Sequence, residues 1–157
     1  MNTVAWNPDI AIEIIAGYER RPERLVQILV AFTRRFGHVP AEATTLLADE
    51  LNLSRADVHG VVSYYHDFRR EPPGQHVLKI CQAEACRAVG ATGLDDDTRA
   101  TCGLGIGESN EMLTIEPVYC LGNCALGPAA MLDGKPLARL DRAQLESLLA
   151  GLRETVS

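Results

Sequence analysis

Over the first 70 residues apolar side chains recur every three or four positions, and beyond them the period changes to two. Ala11, Ile14, Ile15 and Tyr18 fall on one helical face, behind Asn7 as N-cap, Pro8 at the first helical position and Asp9 in the first turn. Leu25, Ile28, Leu29, Phe32 and Phe36 form a second stripe between Pro22 and Phe36, and Gly37 ends it. Pro40 opens a third stripe with Ala43, Leu46, Leu47 and Leu51. Ser54 and Asp57 have capping-box spacing ahead of a fourth, which is expected to bury Val58, Val61, Val62 and Tyr65. Four short amphipathic helices with brief connections predict a bundle over residues 1–70.

Pro72-Pro73-Gly74 cannot continue a helix. Behind it, residues 76–80 alternate as a strand that delivers Cys81, and residues 111–119 do the same for Cys120. Residues 129–140 predict a hairpin, because Asp133-Gly134 suits a type I′ turn. Asp141 and Gln144 cap a last helix with Leu145, Leu148, Leu149 and Leu152 on its apolar face. From Glu84 to about Leu104 the chain is expected to be mostly helix, weakened by Gly90 and Gly93. The order β-α-β-β-β-α predicts a small α/β domain with a mixed sheet over residues 76–157, so the chain as a whole is α+β with a helical bundle first.

At 157 residues the chain is long enough to bury a core without covalent staples. A net charge of −6 gives no basic footprint for nucleic acid or anionic lipid, and no apolar run approaches the roughly 20 residues that span a bilayer. No secretory signal is evident at the N-terminus, so the expected location is the cytoplasm, where structural disulfides are rare.

That compartment matters for the five cysteines, all of which lie between Cys81 and Cys124. Cys81 and Cys86 form a C-x4-C pair, Cys120 and Cys124 a C-x3-C pair, and each follows a predicted strand. Two thiol loops held side by side at one sheet rim suit a soft metal centre. Zinc favours shorter bites or a histidine in the set, whereas wider bites suit two irons that take two thiolates each. Disulfides and zinc stay open alternatives on spacing alone. Gly122 and Gly127 flank the second pair and would let backbone N–H groups approach an anionic cluster, and Cys86 is expected near a helix start that favours a thiolate. Cys102 stands apart as a free, partly buried thiol, and the Gly-rich residues 103–107 after it lack the strand and the Lys-Ser/Thr of a phosphate loop. His59 and His66 are expected to be bundle or interface residues, and residues 94–98 a solvated turn or helix face.

The segments ICQAEACRAVGA and IEPVYCLGNCALGPAAM, together with LNLSRADVHGVVSYYHDF upstream, resemble the thioredoxin-like [2Fe–2S] ferredoxin family. Its members include the small cluster subunit of respiratory complex I, the diaphorase subunit of bidirectional hydrogenases and the gamma subunit of soluble NAD-dependent formate dehydrogenases. The resemblance covers most of the chain. It implies a thioredoxin-like fold for residues 76–157, one [2Fe–2S] cluster, and Cys81, Cys86, Cys120 and Cys124 as its ligands. Complex I members usually carry Thr-Pro before the second cysteine, where this chain reads Glu84-Ala85-Cys86. Both thiol loops look closest to the gamma subunit of the molybdenum-containing formate dehydrogenases, with the hydrogenase and complex I subunits as the second reading. The implied role is one-electron exchange with a flavin in an adjacent subunit. FMN, NAD, further Fe–S clusters and the molybdenum cofactor are then expected in the flavin/NAD-binding and molybdenum-containing partner subunits. The helical half is expected to dock a partner, and no substrate site is expected on this chain alone.

Overall fold

The computed structural model describes residues 3–154, so residues 1–2 and 155–157, at the outer ends of the predicted domains, lie outside the described residues. The chain divides into two compact units, residues 1–72 and 73–157. Among the described residues they hold seven α-helices and one four-stranded sheet.

The first unit is built from α1 (Pro8–Gly17), α2 (Leu25–Phe36), α3 (Ala41–Leu51) and α4 (Arg55–Tyr64). The first and last of these helices begin on side-chain caps that the sequence supplies. The Asn7 side chain accepts from the N–H groups of Asp9 and Ile10, at 2.8 and 3.2 Å. Ser54 and Asp57 form a reciprocal capping box on α4. A 3₁₀ turn at Pro22–Arg24 leads into α2, which ends on Gly37 in the left-handed conformation. Leu25, Ile28, Leu29, Phe32 and Phe36, the predicted stripe, are the buried residues of α2. They join Ala11, Ile15, Val39, Ala43, Leu47, Leu51, Val58 and Val62 in one core. The only tryptophan, Trp6, packs edge-on against Phe32 and Phe36. Tyr65 departs from expectation. It lies just past the end of α4 and is 44% exposed, because the helix stops before its side chain reaches the buried face.

The second unit carries β1 (His76–Cys81), α5 (Glu84–Ala88), α6 (Leu94–Cys102), β2 (Leu113–Val118), β3 (Ala130–Leu132), β4 (Lys135–Leu137) and α7 (Arg142–Glu154). The sheet order is β2-β1-β3-β4. β1 and β2 run parallel, whereas the β1–β3 and β3–β4 pairs are antiparallel, so the sheet is mixed as predicted. The predicted helix between β1 and β2 is broken, since Gly90 takes φ +112° and a 3₁₀ turn separates α5 from α6. Asp133 and Gly134 both take positive φ, 49° and 84°, the geometry a type I′ hairpin needs. The Asp133 carboxylate also accepts from the Val77 N–H at 2.8 Å and pairs with His76 at 2.7 Å, which ties the turn to β1. Asp141 accepts from the Gln144 N–H at 2.8 Å at the start of α7. Leu78, Ile80, Leu113, Ile115, Leu94, Leu145 and Leu149 form the second core. No helix among the described residues is long and apolar enough to cross a membrane.

Phe32 is fully buried in the bundle core, and its removal leaves a large cavity. Phe32→Ala is expected to destabilise the first unit by about 3–5 kcal/mol. Denaturant titration followed by Trp6 fluorescence measures this, and an unchanged midpoint would contradict the packing described.

Candidate iron–sulfur centre

The register of the sheet decides where the cysteines meet. Cys81 pairs with Val118 across the parallel strands, so the carboxyl ends of β1 and β2 lie side by side. Ile80 pairs with Ala130 at the start of β3, and the Cys81 N–H donates to the Ala129 carbonyl at 2.9 Å. Three strand ends therefore converge, and from them come Cys81 with Cys86, Cys120 with Cys124, and the backbone of Ala129. Carboxyl ends of parallel strands are the usual location of ligand sites in sheets of this kind.

The two pairs differ in environment. Cys81 and Cys86 are buried, whereas Cys120 and Cys124 are exposed, with their sulfurs 3.7 Å apart. Burial pushes the Cys81 thiol up, but the N–H groups of Ala83, Cys120 and Leu121 and the Cys86 thiol outweigh it. The net effect holds Cys81 below the ordinary thiol range. Burial raises the Cys86 thiol despite donation from the Ala129 N–H, and the hydrogen bond and charge of Cys81 and the charge of Cys120 raise it further. Cys124 is raised by its hydrogen bond to Cys120, then by the charge of Cys120, by burial, and by the charges of Cys86 and Cys81. All four sulfurs thus stand close enough to oppose one another's ionisation. The Gly122 N–H adds a donor to the Cys120 sulfur at 3.4 Å.

This arrangement corrects two expectations. Cys86 is the third residue of a five-residue helix, and its own N–H is spent on the Ala83 carbonyl at 3.0 Å. The helix start does not lower its thiol, and the donors gather on Cys81 instead. Gly127 directs its N–H to the Cys124 carbonyl at 3.2 Å, not to a sulfur. It provides space: a Cβ there would stand 2.9 Å from Val89 Cγ2 and 3.4 Å from the Cys86 sulfur.

The four thiols that meet at this rim form an all-sulfur donor set. Two sulfur pairs, one from each loop, match the four thiolates that a two-iron cluster takes, two to each iron. The N–H groups aimed at three of the sulfurs suit an anionic cluster. Cys102 lies apart in the last turn of α6, with its thiol on the Thr98 carbonyl at 3.2 Å. Asp95 is tied to Arg99 at 3.2 Å and to the Ile106 N–H at 2.6 Å, so residues 94–98 open α6 and anchor the following loop. His59 and His66 are exposed.

Sequence reasoning missed Ala83, Leu121 and Ala129 as sulfur donors. Every residue but proline has an N–H, so only the loop path selects these three; the pairing of β3 with β1 is the signal that points to Ala129. Tyr119, Val89 and Leu126, at 75, 55 and 39% exposure, give the outer rim an apolar surface beside the exposed pair.

Comparison with known proteins matches residues 11–153 to the family described as thioredoxin-like [2Fe–2S] ferredoxin. NADH-quinone oxidoreductase subunit 2 of Thermus thermophilus is 31% identical over 150 residues, covering 92% of this chain and 83% of the relative. NADP-reducing hydrogenase subunit HndA of Solidesulfovibrio fructosivorans is 28% identical over 141 residues, covering 88 and 82%. Among solved structures, an NAD+-reducing [NiFe]-hydrogenase in the air-oxidized state shares the fold, with a TM-score of 0.71 at 22% identity. That match covers 88% of this chain and about a quarter, 24%, of the hydrogenase chain.

Gly127→Val is expected to destabilise the second unit by about 1–3 kcal/mol through overpacking. Adding Val89→Ala should recover part of the loss. Thermal unfolding of the single and double variants measures both, and unchanged stability in the single variant would contradict the close approach.

Proposed function

The chain belongs to the thioredoxin-like [2Fe–2S] ferredoxin family, and on that premise we propose that it is the electron-transfer subunit of an NAD-dependent formate dehydrogenase. Its ligands to one [2Fe–2S] cluster are Cys81, Cys86, Cys120 and Cys124. The convergence of these four free thiols at one sheet rim, under a set of inward N–H donors, is the observation that carries the ligand set. When bound, the cluster supplies one-electron storage. The buried Cys81 and Cys86 would hold it from β1 and α5, and the exposed Cys120 and Cys124 would hold it from the surface loop. N–H donation from Ala83, Cys120, Leu121, Gly122 and Ala129 offsets the negative charge that thiolate ligation brings.

Formate oxidation with NAD reduction moves two electrons, so a single-electron subunit needs a partner that splits the pair. The flavin of an adjacent NAD-binding subunit fills that role, and a molybdenum-containing subunit holds the formate site; both substrate sites lie off this chain. Further Fe–S clusters in those partners would complete the path, and NAD-linked chemistry of this type puts the complex in the cytoplasm. The bundle is the docking element for the flavin subunit, which brings the rim from Gly122 to Pro128 toward the flavin. Tyr64 and Tyr65 support this, because they form an exposed edge-to-face pair, 74 and 44% accessible, of the kind that anchors interfaces.

A second reading makes the chain the equivalent subunit of an NAD-linked hydrogenase or of an NADH-quinone oxidoreductase. The names of its relatives favour that reading. The formate branch rests on the wording of residues 81–91 and 120–129.

Replacing any one of Cys81, Cys86, Cys120 or Cys124 with Ala is expected to remove or badly deplete the cluster, whereas Cys102→Ala retains it. Iron and acid-labile sulfide per chain report the outcome, and full occupancy in the Cys120→Ala protein would refute the ligand set. A chain starting at Gln75 is expected to keep the cluster spectrum yet fail to co-purify with the flavin subunit; unchanged affinity would remove the docking role from the bundle. In the intact complex, NADH and formate are both expected to raise the low-temperature paramagnetic signal of the reduced centre. Reduction by hydrogen but not by formate would favour the second reading.

A further inference from the structure

Among the described residues, the side-chain nitrogen of Gln82 is the buried polar atom left without a hydrogen-bond partner. A buried donor in that state costs about 1–3 kcal/mol, and native proteins seldom leave one without a reason. Its place in the fold supplies a reason. Gln82 directly follows Cys81, and its backbone N–H donates to the Val118 carbonyl at 2.8 Å, two residues before Cys120. The residue is therefore pinned between the two thiol loops, where the chain already turns five backbone N–H groups toward sulfur. The acceptors that would arrive at this rim with the family's cofactor are sulfurs.

We propose that the Gln82 carboxamide donates its N–H to a sulfur of the [2Fe–2S] cluster and thereby tunes the reduction potential. This rests on the ligand assignment above. Each N–H directed at a cluster sulfur favours the reduced form, which carries one more negative charge, so the donation raises the potential. A carboxamide does this as a neutral dipole. A lysine or arginine in its place would bring a whole charge into a buried position, at a far larger desolvation cost. Gln82 is not a ligand and is not required to hold iron. Its role is to set how readily the bound centre accepts an electron.

The test uses the full-length chain, purified anaerobically in its complex, with iron and sulfide measured in every sample. Gln82→Leu removes the donor and keeps much of the volume. At a fixed applied potential near the midpoint it is expected to lower the ratio of reduced to oxidised centre about tenfold, a downward shift of about 59 mV for a one-electron couple. Gln82→Glu, which replaces the donor with an acceptor, should lower it at least as far. A full iron and sulfide complement with an unchanged midpoint in Gln82→Leu would overturn the inference and leave the ligand assignment standing. A wild-type chain devoid of cluster would overturn both. Pulsed paramagnetic resonance on wild-type protein carrying 15N in the glutamine side-chain amides decides the matter even if the variants lose the cluster. A 15N coupling to the reduced centre supports the contact, and its absence refutes it.

Discussion

Four sulfurs at one rim of a small sheet oppose one another's ionisation, and backbone N–H groups gather at that rim to offset it. The Cys124 and Cys86 thiols are both pushed up, in part by their neighbours' charges, whereas Cys81 is drawn down because three backbone N–H groups point at it. Such donors cannot come from helix or sheet interiors, where every N–H is already committed. They come from the places where strands end and the backbone turns. A parallel pair beside an antiparallel hairpin supplies three such ends within one patch: Cys81 leaving β1, Val118 leaving β2, and Ala129 entering β3. Ala129 serves both sides, since its carbonyl accepts from the Cys81 N–H while its own N–H donates to the Cys86 sulfur.

Burial then divides the labour within the set. Cys81 and Cys86 are buried members of the hydrophobic core of the unit, in the same cluster as Leu78, Ile80 and Leu94. Cys120 and Cys124 lie in an exposed loop in which Cys120 takes φ +90°, unusual for a side-chain-bearing residue. A centre held firmly on one side and open on the other suits electron exchange across a surface better than substrate chemistry in an enclosed cavity. The helical unit has a separate core built on Phe32, Phe36 and Trp6, with no cysteine in it. Its most conspicuous exposed apolar feature is the Tyr64–Tyr65 pair.

Much of this was legible in the sequence because the signals were local. The α2 stripe, the Ser54–Asp57 box and the Asp133-Gly134 turn each depend on side chains a few positions apart, and each appears where the pattern puts it. The strand-end position of each cysteine pair was legible for the same reason. What escaped was set by tertiary path. Gly127 looks like a donor in the sequence, yet the approach of Val89 and the Cys86 sulfur from distant positions makes it a spacer. Donation from Ala83, Leu121 and Ala129 has no side-chain signature at all. The orphaned Gln82 amide shows itself only once burial is known.

A two-iron cluster held by the four converging sulfurs has a distinctive iron spectrum. Mössbauer spectroscopy of the wild-type protein, purified anaerobically from cells grown on 57Fe, reads it without interference from other centres. Ferric sites with all-sulfur tetrahedral coordination, coupled to a diamagnetic ground state in the oxidised protein, are expected. A colourless protein without an iron spectrum, carrying one zinc per chain on the same cysteines, would contradict the cluster assignment.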